Sequence, residues 1–385
     1  MKNKTRVLML RTNKVDPDPR VEKEVNTLIC NEKLNIEVLA WDRTDNYAYK
    51  KDNLELDNGD AVIHRIGIQA GWGVGIKKNA IAFVKYTLKT FVWLVRNSKS
   101  YDIIHACDLQ TVIPALIPII IFKKKLVYDI YDYFSDTAHG NGIVLKLANK
   151  FETAVINHAT ATILCSERRE EQIKPAKPKK MAIIHNAPSV NQIKVSDKNI
   201  CLTRTESIKL VYIGNLVEDR CIRELIEVAR QCPSIELHIG GMGHLTDFVK
   251  EASEGISNVY FYGKMAYTDV LALEKVCDIM VAFYDQAVPN HKYAAPNKFY
   301  EAIALGKPLV MFHNTGVDDI IDKYDLGITV EQSVPSMIEG ICALIARRDE
   351  WVCMGKRARC VFKELYSWEI MEYRLNQLYE GIIDC

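Results

Sequence analysis

Along the chain, short runs of branched apolar residues alternate with longer stretches whose apolar positions recur every three or four residues. The short runs predict strands over 6–10, 36–40, 103–106, 125–128, 161–165 and 181–185. Between them, helical spacing falls on 20–30, 76–96, 109–117 and 141–158. Strands separated by helices in this order build a parallel sheet covered on both faces. Residues 188–207 are polar and carry no period, so they predict a linker. The alternation then restarts, with strands over 209–213, 235–240, 259–262, 279–283 and 308–312. Helices are expected over 221–231, 246–254, 267–277, 298–305 and 334–347. A last helix, 370–382, follows Trp368 and is expected to pack back on the first domain.

The pattern therefore predicts an α/β protein with two doubly wound, Rossmann-like domains facing a central cleft. Its divisions are 1–188, a linker over 189–207, 208–368, and a C-terminal helix over 369–385. Open sheets of this kind bind ligands outside the C-terminal ends of their strands.

Composition narrows the function classes. The 385 residues suffice for two domains with cores of their own. At 48% hydrophobic and 9% aromatic, the chain is not a disordered one. With 50 Lys+Arg against 49 Asp+Glu the net charge is +1, so no nucleic-acid partner is expected. No apolar stretch reaches the roughly 18–20 residues that cross a bilayer. The segment 76–96 sets Ile81, Val84, Leu88, Phe91, Trp93 and Val95 among Lys77, Lys78, Lys85, Lys89 and Arg96. It reads either as an interfacial membrane helix or as a domain helix with solvated lysines. Eleven cysteines, odd in number and without a CxxC pair, read as small buried hydrophobes of a reducing compartment. With no secretory leader pattern at Met1, a cytoplasmic location is expected.

Candidate chemistry sits at the predicted strand ends. The turn after the first strand holds Asp18 and Pro19, an N-cap and a first helical residue, followed by Arg20. It reads equally as an anion-binding helix start and as a plain cap. His105 and Asp108 end another strand, where an imidazole can orient a hydroxyl and a carboxylate can set its tautomer. In the second domain, Gly214-Asn215 and Gly240-Gly241 follow successive strands, and Arg220 follows the first of them. Backbone amides and a guanidinium in such places suit a diphosphate, although each glycine cluster alone is an ordinary turn. The segment Ala295-Pro296-Asn297-Lys298 opens a helix that carries Glu301. A carboxylate there can hold two vicinal ribose hydroxyls, or simply sit solvated against the helix dipole.

Taken together, the segments 18–24, 38–43, 102–108, 296–308 and 366–368 resemble those of family 4 (group 1) glycosyltransferases of the GT-B fold. Members of that family build bacterial surface polysaccharides. The resemblance implies a nucleotide-sugar donor, UDP-linked by family frequency, bound by the C-terminal domain. It also implies a saccharide or lipid-linked acceptor bound by the N-terminal domain, retention of configuration, and no metal or other cofactor. It makes Glu301 the ribose ligand, puts Gly263 and Lys264 near the base, and puts Arg220 near the diphosphate, whose developing charge Arg220 and Lys298 would stabilise. His105 and Asp108 would line the acceptor and sugar side of the cleft, where either could hold the acceptor hydroxyl, with Asp18 and Arg20 on the acceptor side. Three positions depart from the family pattern. Tyr293 stands where an acid is usual, Asn215 where an arginine is frequent, and Cys107 where a second histidine is frequent. A UDP-sugar 2-epimerase of the same fold and a non-catalytic nucleotide-sugar-binding subunit remain alternatives. With a lipid-linked acceptor, the protein is expected peripherally at the inner membrane face.

Overall fold

The computed structural model describes residues 4–71, 75–137, 142–195, 202 and 206–383. Of the expected linker, 196–201 and 203–205 lie outside the described residues, as do the side chains of Lys77 and Lys78. The linker's first residues form a helix, Val190–Val195, and Val190 and Ile193 pack on the core of the second unit. The chain divides into two compact units, Met1–Ile184 with Met371–Cys385, and His185–Ile370.

The first unit is built on β1 (Thr5–Arg11), β2 (Leu34–Asp42), β3 (Tyr47–Leu56), β4 (Gly59–Gly67), β5 (Ile103–Cys107), β6 (Lys125–Ile130), β7 (Ala161–Leu164) and β8 (Met181–Ile183). They form one sheet in the order β3-β4-β2-β1-β5-β6-β7-β8, parallel except for the β3–β4 hairpin. The hydrophobic pattern does not predict that hairpin. Most of β3 is solvent-exposed, which leaves little alternation to detect, although Asn58-Gly59 is a hairpin turn signal.

Three helices of this unit matter below: α1 (Pro19–Ile29), α2 (Gly75–Arg96) and α3 (Leu109–Ile121). The last runs four residues past its expected end. Its prolines, Pro114 and Pro118, lie four residues apart on one face, both buried, and the helix continues through them. From α2, Tyr86, Thr90 and Leu94 turn inward, with Tyr86 stacked on Trp41 at 4.6 Å.

The second unit holds β9 (Ile208–Asn215), β10 (Ile235–Met242), β11 (Val259–Phe261), β12 (Ile279–Ala282), β13 (Leu309–Phe312) and β14 (Gly327–Val330). All are parallel, in the order β11-β10-β9-β12-β13-β14. Strands β12 and β13 are wholly buried apolar runs, as a sheet covered on both faces demands. Counted within the unit this is the doubly wound 3-2-1-4-5-6 order, whose switch point lies between β9 and β12. Helix Asn297–Leu305 ends at Gly306 in the left-handed conformation, φ 69°, where the chain turns into β13. Helix Asp318–Tyr324, β14 and helix Trp351–Val361 are further elements that the sequence pattern does not predict.

No helix among the described residues is long and apolar enough to cross a membrane. The described cysteines are free thiols.

Candidate active site

In the first unit, the ends of β1, β5 and β6 converge on a cluster of charged groups. Asp18 caps α1 and accepts from the Val21 amide, while the Glu22 carboxylate accepts from the Asp18 amide at 2.7 Å. The Asp18 carboxylate also holds Arg11 at 2.8 Å and Asn13 at 2.6 Å. The start of α1 is thus occupied by its own carboxylate, which favours the plain-cap reading over an open anion site. Arg20 is buried. Its guanidinium donates to the Ile184 carbonyl at 2.8 Å and to Asp129 at 3.0 Å, and pairs with Glu24 at 3.0 Å. The Tyr131 ring lies 4.3 Å from the Arg20 guanidinium and 4.4 Å from that of Arg11.

His105 is 0% exposed. Its Nδ1 meets the Tyr379 hydroxyl at 2.7 Å, and its Nε2 lies 3.4 Å from Asp129 and 3.7 Å from Glu24. Burial and the neighbouring Asp129 push the Glu24 carboxyl well above its ordinary range. Burial would raise Asp129 as well, but Arg20 and the bond to His105 bring it below the usual value. His105 and Arg20, expected on the acceptor side, are both buried and engaged with these internal partners. The partner that closes over His105, Tyr379, is 274 residues away in sequence.

Asp108 stands apart from them. At φ 66° it is strained for a residue with a Cβ. Its carboxylate pairs with Arg11 at 2.8 Å and accepts from the Tyr131 and Asp132 amides at 3.1 and 3.3 Å. Burial, opposed by Arg11, raises it to about 6. His105, Cys107 and Asp129 lie close enough to face one metal ion, but Arg20 already pairs with the only carboxylate of the three.

In the second unit, the end of β9 is shaped by close approach. A Cβ on Gly214 would stand 2.5 Å from the Lys298 ammonium, and one on Gly241, φ 129°, would overlap the Gly214 carbonyl. Gly241 is therefore a packing glycine, and its own amide donates to Gly263 at 2.7 Å. Gly263 has φ 63°, and open space lies where its Cβ would be. Lys264 beside it is exposed, as are Asn215 and Asn297. The Asn215 carbonyl accepts from the Tyr212 hydroxyl at 2.8 Å, and the Tyr212 ring carries Lys298 Nζ 4.4 Å from its centre.

Lys298 and Glu301 lie on the first turns of helix Asn297–Leu305, capped by Pro296, and both are buried. Burial, with the negative charge of Glu301 to which its hydroxyl donates, raises the Tyr267 phenol well above its ordinary value. Burial lowers the Lys298 ammonium, against the opposing charges of Glu301 and Glu274. Glu274 is buried too, with neither oxygen hydrogen-bonded, and burial followed by Glu301 raises it well above the carboxylate range.

Arg220 is anchored by three neighbours: Asp219 at 3.0 Å, His291 Nε2 at 2.9 Å and the Tyr284 ring at 4.3 Å. His291 Nδ1 donates to the Asp285 carbonyl at 2.7 Å, so Nε2 is the acceptor for Arg220. Burial lowers the His291 pKa, which keeps the ring neutral for that task. Tyr293 is half-buried in the turn Pro289–Tyr293, with Lys292 Nζ 5.6 Å from its ring.

Lys298 thus meets Gly214, and its charge is felt by Glu301 and Glu274; Arg220 is held by its own set of partners. Sequence reasoning misses Tyr267, Glu274, Tyr284 and His291, because each is placed by packing between elements and belongs to no local motif.

Residues 207–347, which contain this cluster, match the family model described as "Glycosyl transferases group 1". No curated protein matches the chain. Among solved structures it is similar to a sucrose-phosphate synthase from Thermosynechococcus elongatus, at 16% identity and a TM-score of 0.77, covering 99% of this chain and 100% of that one. HepE from Anabaena, in complex with UDP and glucose, is 15% identical with a TM-score of 0.70, covering 97% and 99%. WaaG, a glycosyltransferase involved in lipopolysaccharide biosynthesis, is 14% identical with a TM-score of 0.66, covering 97% and 99%. The chain has the fold of the GT-B glycosyltransferases, and residues 207–347 of its second unit match the glycosyl transferases group 1 model.

Proposed function

We propose that the protein is a retaining glycosyltransferase that moves a sugar from a nucleotide-sugar, UDP-linked, to a saccharide or lipid-linked saccharide. The observation that carries this reading is the meeting of Lys298 with the bare backbone of Gly214 at the end of β9, on a segment that matches the group 1 model. A glycine there leaves room for a diphosphate to approach the main chain and an ammonium at once. Support for UDP comes from the HepE complex, which holds that nucleotide.

In this reading the leaving group is a nucleoside diphosphate, and the chemistry consists largely of stabilising its developing charge. Lys298 and Arg220 supply fixed cations, and their anchored geometry means little reorganisation accompanies bond breaking. Glu301 takes the ribose hydroxyls, with Tyr267 fixing its orientation, while Gly263 and Lys264 border the base. Tyr293 replaces the usual acid beside the donor sugar. No metal is required, because the two cations do its electrostatic work. Asp108, polarised by Arg11, is the carboxylate of the first unit assigned to the acceptor hydroxyl. The acceptor reading also places the protein peripherally at the inner face of the membrane, in the cytoplasm, in polysaccharide assembly.

The test is release of UDP from a panel of UDP-sugars, with and without saccharide acceptors, in the presence of EDTA. Acceptor-dependent release that survives EDTA supports the reading. Conversion of the sugar without an acceptor would point to a 2-epimerase. Nucleotide binding without turnover would point to a non-catalytic subunit.

A further inference from the structure

Glu274 is 1% exposed, and neither of its carboxylate oxygens has a hydrogen-bond partner among the described residues. A carboxylate taken out of water without a donor is costly, and protein cores seldom hold one. Its helix, Tyr267–Val276, buries Leu271, Ala272 and Leu273 beside it, so packing alone does not call for an acid at 274.

That helix packs on helix Asn297–Leu305, which carries Lys298 and Glu301, and the charges of both reach Glu274. Tyr267 on its own helix and Cys277 just past its end feel the charge of Glu274 in turn. From β9, Tyr212 holds Lys298 against its ring, and Lys209 pairs with Glu236 at 3.5 Å. Tyr300 is turned to His185, its hydroxyl 2.8 Å from Nδ1, and helix Val190–Val195 contributes Val190 and Ile193 to this core. Arg220 bears on Lys298.

One buried ammonium thus stands among two buried carboxylates, where a diphosphate would bring further negative charge. Glu301 has a donor in the Tyr267 hydroxyl, which favours its charged form. Glu274 has none, and burial followed by the charge of Glu301 pushes its carboxyl well above the ordinary range. Of the two, Glu274 is the one that a proton neutralises at least cost.

We propose that Glu274 is a positioning residue of the nucleotide site that works by exchanging a proton. With the site empty, it gives the buried Lys298 ammonium a second counter-charge. When a diphosphate engages the ammonium, a Glu274 oxygen binds a proton from solvent, and Glu301 is left as the single carboxylate partner of Lys298. The site then holds one negative charge fewer beside the diphosphate. Nucleotide binding is linked in this way to uptake of a proton, so affinity falls as pH rises. This rests on the glycosyltransferase reading above and adds to it a residue that sets the charge of the site.

The test is calorimetric titration of UDP into the full chain from pH 7 to 9.5, in pairs of buffers with different ionisation enthalpies. Wild-type affinity is expected to fall by at least about fivefold across this range, with net proton uptake on binding. Glu274→Gln fixes the neutral form and is expected to hold its affinity level and take up no proton. Glu274→Leu repeats the comparison with an apolar side chain, in case the amide disturbs folding. Uridine, which lacks the diphosphate, should not distinguish wild type from the variants. A pH dependence shared by wild type and both variants would assign the proton to Lys298 and overturn the proposal. A level wild-type affinity, or binding without proton uptake, would also overturn it. The same difference with uridine would overturn it in favour of an effect on the ribose. Absence of UDP binding by all three proteins at every pH would remove the nucleotide-binding reading itself, so the two failures are told apart.

Discussion

The Lys298 ammonium lies where a side chain on residue 214 would be: a Cβ there would stand 2.5 Å from Nζ. A glycine at the end of β9 and a lysine 84 residues later thus form one feature, since a side chain at 214 would displace the ammonium. A Gly214→Ala substitution is expected to push Lys298 off the Tyr212 ring and weaken UDP binding by about tenfold, roughly the worth of one charge-assisted hydrogen bond. Calorimetric titration checks this, and thermal unfolding without ligand should show a smaller change than the loss of affinity.

Arg220 depends on a neutral imidazole. Burial lowers the His291 pKa, and Arg220 donates into its Nε2. Protonation abolishes that acceptor and places a second cation beside the guanidinium. UDP affinity is therefore expected to fall as pH drops well below the ordinary histidine value of about 6.5. A His291→Gln variant should lose this pH dependence while retaining most of the affinity near neutrality. Titrations across that range with both proteins decide it.

His105 is a strand-end residue enclosed by packing. Position and residue type mark it as a candidate acid–base group, yet Tyr379 from the C-terminal helix closes over it. Removing that hydroxyl with Tyr379→Phe leaves a buried ring nitrogen without its partner, at a cost of about 1–2 kcal/mol. Denaturant unfolding should register the loss, whereas UDP affinity should not move. A catalytic His105 would instead show a fall in turnover with little change in stability.

Glu152 provides a pH test of the first unit's core. The Tyr128 hydroxyl donates to its carboxylate at 2.6 Å, and burial raises it to about 7. Its folded pKa exceeds the unfolded value, so folding favours the protonated acid. Its contribution is full below about pH 4.5 and is lost as pH rises through about 7. Relative to a Glu152→Gln protein, the wild type should lose on the order of 3 kcal/mol across that window. Parallel unfolding curves from pH 4 to 8 measure it; curves that keep a constant separation would exclude the ionisation.

The alternation of strands and helices was legible because buried parallel strands are unbroken apolar runs, as in β12 and β13. The β3–β4 hairpin was not, since its outer strand exposes Lys50 and Lys51 where alternation would be sought. In the second unit, Gly214, Arg220, Lys298 and Glu301 were legible as residue types that follow predicted strand ends. Their partners were not: Tyr267, Glu274, Tyr284 and His291 reach the site from other elements, and no local spacing encodes that.

The central claim is that the end of β9 holds a nucleoside diphosphate between Lys298 and Arg220. Calorimetric titration of UDP into wild type, Arg220→Ala and Lys298→Ala proteins tests it most directly. The account predicts saturable binding by the wild type and at least about tenfold weaker binding by each variant, the worth of one charge-assisted contact. It also predicts a smaller loss when uridine replaces UDP, because the diphosphate is what the two cations hold. Equal affinity of all three proteins for UDP would contradict it.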